Sequence, residues 1–226
     1  MRTLFIIPLV LLSLVSCADF NKGLTAAQNG DFATALKEWK PLAEEGHAKA
    51  QYNLGVMYQK GWGVPQDYKK AVLMFKLAAE QGHAKAQYNL GVMYQKGWGV
   101  PRRYKEAVRL YRLAAEQGLA EAQYNLGLMY DDGNGVLQNY KEAARLYFLA
   151  AEQGHAKAQY NLGRMIGDGL GFVQNFIYAH MWFSIAASNG VDHGNKNKVE
   201  EMMTTSDISE AQKLARECVK KNYKDC

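Results

Sequence analysis

Three histidines, His47, His83 and His155, occupy one position of a thirty-six-residue period, with Leu119 in the missing place. Imidazole is a common metal ligand, but a shared ion needs every donor within about 2 Å of it. Side chains on successive repeats stand about a helix-pair spacing apart, and no cysteine, histidine or carboxylate recurs beside these three with ligand spacing. The expected role is at a helix start or on the surface, and no metal site is predicted. Asp131-Asp132-Gly133-Asn134-Gly135 has the acidic, glycine-rich character of a calcium loop without its carboxylate spacing or its closing glutamate. The glycine segments lack the Lys-Ser/Thr ending of a phosphate-binding loop. Neither a Gly-x-Ser-x-Gly elbow nor a catalytic Cys/His pairing is present. With no nucleophile nominated, the chain reads as a non-enzyme without a cofactor.

The elements that carry these residues follow from repetition. Residues 46 to 65 recur letter for letter at 82 to 101. A unit of that length cannot enclose a core alone, so neighbouring units must stack and bury a continuous one. Gly46, Gly82, Gly118, Gly154 and Gly190 each follow an apolar periodic run and mark helix ends. A second cluster, Gly61-Trp62-Gly63-Val64-Pro65 with copies at 97 to 101 and 133 to 137, breaks each unit in its middle. Each unit is therefore two helices of about thirteen residues. Ala50, Leu54, Tyr58 and Gly61 form the core face of the first helix, with Gly55 permitting close approach; Tyr68, Ala71, Val72, Phe75 and Ala78 form that of the second.

The string Ala-Gln-Tyr-Asn-Leu-Gly, then Tyr, Gly-x-Gly-Val, Tyr-x-x-Ala and Ala-Ala-Glu-Gln-Gly resembles the Sel-one-like repeat family, with registers at Gln51, Gln87, Gln123 and Gln159. The resemblance covers about residues 20 to 190. It implies an all-α fold, a right-handed α-solenoid of paired antiparallel helices related to the tetratricopeptide repeats, and a role in holding partner proteins together.

In those related folds the first-helix face not used for the core lines a concave groove. Here it carries Lys49, Tyr52, Asn53, Val56 and Lys60, then Lys85, Tyr88, Asn89, Val92 and Lys96. Glu121, Tyr124, Asn125 and Leu128 follow, and finally Lys157, Tyr160, Asn161 and Arg164. A tyrosine stripe flanked by amides offers aromatic area and backbone-bonding groups to a peptide. The same stripe could equally serve packing between repeats. Its charge changes along the chain, from the lysines to Glu121, Asp131 and Asp132, then to Lys157, Arg164 and Asp168, a pattern able to orient a partner. Trp62 and Trp98 lie in turns, where each ring can stack on a sugar or tuck over neighbouring helix ends.

The domains read as a signal peptide at 1–18, a shortened opening repeat at 19–46, four repeats at 47–190 and capping helices at 191–226. Arg2 precedes the apolar run Leu4 to Val15, which is too short for a comfortable membrane span, and no transmembrane helix is expected. Ser16-Cys17-Ala18 suits cleavage after Ala18, whereas Leu14-Val15-Ser16-Cys17 resembles a bacterial lipobox that would make Cys17 a lipid anchor. Cleavage after Ala18 fits better, because the array begins at Asp19 or Phe20 and leaves no tether. Cys218 and Cys226, the remaining cysteines of an exported chain, are expected to pair. Asp207-Ile208-Ser209-Glu210 resembles a capping box, which predicts a last helix from about Ile208 to Lys221.

The net charge of +5 is mild and spread among acidic residues, unlike the dense basic stripe of a nucleic-acid binder. The expected function is an exported envelope scaffold, periplasmic or anchored, that binds a protein or peptide along the groove. A peptidoglycan-binding module and a hydrolase are the alternatives.

Overall fold

A computed structural model describes residues 18–226, in which twelve helices and no strand occur. The signal segment and Cys17 lie outside the described residues. The opening unit is α1 (Phe20–Gln28) and α2 (Phe32–Glu44), joined at Asn29-Gly30. Four full units follow: α3 (Ala48–Lys60) with α4 (Tyr68–Glu80), α5 (Ala84–Lys96) with α6 (Tyr104–Glu116), α7 (Ala120–Asp132) with α8 (Tyr140–Ala151), and α9 (Ala156–Asp168) with α10 (Phe176–Ser188). A short α11 (Asn195–Glu200) and a terminal α12 (Thr205–Lys220) close the array. The molecule is an all-α solenoid.

Each unit closes by the same local chemistry. The glycines Gly61, Gly97, Gly133 and Gly169 end the first helices in the left-handed conformation, which a side chain disfavours. Within a pair the helices approach where glycine faces an aromatic ring: a Cβ on Gly91 would lie 2.7 Å from the Tyr111 ring, and one on Gly55 would lie 2.6 Å from Phe75. Alanines beside these rings are fully buried, as at Ala71, Ala107, Ala143 and Ala179. The core runs as successive clusters along the array, and Met57, Met93, Met129 and Met165 occupy one equivalent buried position.

Two details depart from the sequence expectation. The last helix begins at Thr205, three residues earlier than expected, and Thr204 is its cap. The Thr204 hydroxyl accepts from the Asp207 N–H, and the Asp207 carboxylate accepts from the Thr204 N–H at 2.9 Å. Asp207 is thus the third helical residue of the box, because a threonine three positions upstream can close the reciprocal pair.

Both ends are tied down. Asp19 caps α1 and its backbone N–H bonds Glu38, which also accepts from Lys22 at 2.5 Å. The Lys22 ammonium, followed by that N–H, holds the Glu38 carboxyl below its ordinary pKa. At the other end Cys218 and Cys226 form a disulfide. Tyr223, within that loop, donates through its hydroxyl to the Asn189 side chain at 3.3 Å.

Candidate functional site

The repeated histidines are helix caps. Nδ1 of His47, His83 and His155 accepts from the backbone N–H of Ala50, Ala86 and Ala158, each at 3.2 Å. Accepting at Nδ1 requires a neutral ring protonated on Nε2. The rings also stack on an aromatic of the preceding unit: His47 on Phe20 at 5.1 Å, His83 on Tyr52 at 4.8 Å and His155 on Tyr124 at 4.6 Å. Burial lowers the pKa of His83 and His155. Leu119 makes no side-chain cap, and Tyr88 correspondingly has no imidazole partner among the described residues.

The predicted groove residues fall on one face. Tyr52, Tyr88, Tyr124 and Tyr160 are half-buried, as are Asn53, Asn89, Asn125 and Asn161. The tyrosines also meet the next unit: Asn125 Nδ2 donates to the Tyr88 hydroxyl at 3.5 Å, and Asn195 does the same for Tyr160 at 2.6 Å. The stripe therefore serves inter-repeat packing while keeping part of each ring open. Burial raises all four phenol pKa values and keeps these groups neutral. Lys49, Lys85, Glu121 and Lys157 stand exposed along one edge, with Val56, Val92 and Leu128 half-buried deeper in the stripe.

Successive units also share a cavity along this stripe. Tyr88 on α5, Tyr124 on α7, His155 at the start of α9 and Val191 beyond α10 line one cavity of about 370 Å³. Three successive first helices thus bound a shared concavity.

The expected charge alternation is partly consumed within the protein. Arg164 pairs with Asp131 of the preceding unit and lies 3.9 Å from Asp168, while the Tyr147 hydroxyl donates to Asp131 at 3.2 Å. These residues, expected to steer a partner, largely neutralise one another because the stacking of units brings their side chains together. Trp62 and Trp98 lie flat on Phe32 and Tyr68, the first residues of α2 and α4, at 5.2 and 5.4 Å. Each remains about 40% exposed, with 44% and 39% of its surface open.

Sequence reading missed a buried amide ladder. Gln51, Gln87, Gln123 and Gln159 each donate to a backbone carbonyl at the end of the preceding unit, that of Ala43, Ala79, Ala115 or Ala151. Each also accepts from the amide ending its own unit, Gln81, Gln117, Gln153 or Asn189, at 2.7 to 2.8 Å. The two amides sit thirty residues apart in each full unit, both glutamines in the first three and Gln159 with Asn189 in the fourth, a signal available in the sequence. A second group, His180 between Glu200 (2.7 Å) and Ser184 (3.4 Å), has the connectivity of a hydrolytic triad. His180 is 1% exposed, Ser184 lies one turn along the same helix, and the carboxylate comes from α11. This geometry fastens α11 to α10.

The family model described as Sel1 repeat matches residues 48–83, 84–119, 120–155 and 156–191, more than half of the chain. The chain belongs to the Sel1 repeat family. Sel1 repeat proteins generally act as protein-interaction scaffolds and are typically non-catalytic.

Among solved structures, a protective antigen of uropathogenic Escherichia coli displaying an SLR fold is similar at 32% identity and TM-score 0.83, over 90% of this chain and 46% of that one. A Sel1 repeat protein from Oxalobacter formigenes is similar at 35% identity and TM-score 0.71, over 76% of this chain and 70% of that one. DAP3-binding cell death enhancer 1 of Rattus norvegicus is 39% identical over 51 residues, 23% of this chain and 10% of that protein. The chain thus spans only a tenth of that curated relative.

Proposed function

We propose that this Sel1 repeat protein is an exported, non-enzymatic scaffold of the cell envelope that holds a protein or peptide in its concave groove. The observation carrying this reading is the shared cavity from Tyr88 to Val191, where half-open tyrosines and amides of successive units converge. Export is supported by the Cys218–Cys226 disulfide, since such bonds persist in oxidising compartments, and by the apolar start of the sequence. Attachment through Cys17 remains the alternative to cleavage after Ala18, and palmitate labelling decides between them. Among the described residues no helix is long and apolar enough to cross a membrane.

Cross-linking in the envelope followed by mass spectrometry identifies the partner and the residues that touch it. Replacing Tyr88, Asn89 and Val92 together by Ala should weaken capture by about 2 kcal/mol or more, as truncation of central anchors does. Replacing the exposed Lys69 and Lys105 should change it little, because solvated charges contribute weakly. Undiminished capture by a folded triple variant rules the groove out. A cell-wall reading rests on the outward faces of Trp62 and Trp98, which a sugar can stack on, and co-sedimentation with purified sacculi tests it.

A further inference from the structure

The third full unit departs from its sisters at two neighbouring positions. Where the others begin with His47, His83 and His155 it has Leu119, and where they carry Lys49, Lys85 and Lys157 it has Glu121. Both changes lie beside the groove cavity, whose walls include Tyr88, Glu121, Tyr124, Asn125, His155 and Lys157. Leu119 stands at the register from which His83 and His155 cover the preceding tyrosine, so Tyr88 has no stacked imidazole. Glu121 is exposed and makes no ion pair within 4 Å among the described residues. An unpaired carboxylate on a cavity wall shared with Tyr88 attracts a cation by direct charge. Lys157 on the other wall gives the cavity a polarity along the groove.

We infer that this cavity is a specificity pocket for one basic side chain, arginine or lysine, of an extended peptide lying in the groove. The inference rests on the groove reading above and names what that groove selects. Glu121 takes the charged head, Tyr88 and Tyr124 flank it, and Asn125 stays bonded to the Tyr88 hydroxyl to fix that ring. Three sister units carry lysine at this register, so a lysine here fits the fold and inverts the selectivity. Glu121 also lies in the first turn of α7, where a carboxylate favours the helix dipole. That effect acts on stability and not on which peptide binds.

A random dodecapeptide library displayed on phage is panned on the purified disulfide-bonded protein and counter-selected on the Tyr88/Asn89/Val92 triple-alanine variant. The surviving peptides should align on one arginine or lysine. Glu121→Lys should weaken them about tenfold, equivalent to about 1.4 kcal/mol. Citrulline in place of the aligned arginine should weaken binding similarly, and its effect should vanish in the Glu121→Lys protein. Groove-dependent peptides without a shared basic residue, or an undiminished affinity in folded Glu121→Lys, overturn the pocket and leave the groove standing. Absence of any groove-dependent peptide overturns both.

Discussion

At the residue scale the repeated side chains bond between units as well as within them. The neutral imidazoles of His83 and His155 cap α5 and α9, and burial lowers both pKa values from the ordinary 6.5. A lowered value means that the folded protein resists protonation, so the stabilisation is whole above about pH 6.5 and is lost as pH falls through the folded-state values. Urea midpoints should therefore decline as pH falls from 7 to about 5. The His83→Asn/His155→Asn variant, whose amides cap without titrating, should give a flatter profile; equal slopes reject the cap mechanism. The amide ladder makes a second residue-scale prediction. Gln123→Ala removes the donor to the Ala115 carbonyl and the acceptor for Gln153, and should cost about 1 to 3 kcal/mol. Gln153→Ala should cost less, because Gln153 is exposed and water replaces its bond. Chemical denaturation of both variants checks the order.

At the element scale the units are joined where a turn touches the helix before it. Gly99 has φ +71°, and a Cβ there would lie 2.4 Å from the Tyr68 carbonyl oxygen and 2.9 Å from the Lys69 nitrogen. Gly82 has φ +83° with open space around it. Gly82→Ala should cost about 1 kcal/mol, the left-handed penalty alone. Gly99→Ala should cost about 2 kcal/mol more, because backbone atoms cannot move aside as a side chain can. Equal melting temperatures for the two variants would contradict the tight turn-to-helix seam. The same seam explains the tryptophans: a ring one residue before Gly99 lies against Tyr68 at the end of α4 that Gly99 already touches.

At the scale of the whole molecule the array is open-ended, and each end is closed by a different device. At the start Asp19, Lys22 and Glu38 bond one another. At the finish Tyr223, Lys224 and Asp225 reach back to Asn189 and Glu152, held in a loop by the Cys218–Cys226 bond. A bridge closing so short a loop contributes about 2 to 3 kcal/mol on the chain-entropy model. Reduction should speed amide exchange across residues 205 to 226 and leave residues 48 to 119 unchanged, because stability in a solenoid passes between nearest neighbours. Unchanged protection of α12 after reduction would show that packing alone holds it.

Legible in the residues alone were the period, the two helices per unit, the glycines that end them, the pairing of the last two cysteines and part of each core face: Ala50, Leu54, Ala71, Phe75 and Ala78 are buried, whereas Tyr58, Gly61, Tyr68 and Val72 are half-buried and Met57 is buried instead. All of these depend on contacts close in sequence or repeated at a fixed spacing, and identical letters thirty-six residues apart must fold alike. The tertiary structure decided what lies between units. Tyr52 meets His83, Arg164 meets Asp131, and Gln123 bridges Ala115 and Gln153. These distances depend on how far each unit is rotated on the one before, a rotation that no single unit encodes. The same rotation turns a row of tyrosines into the wall of a cavity.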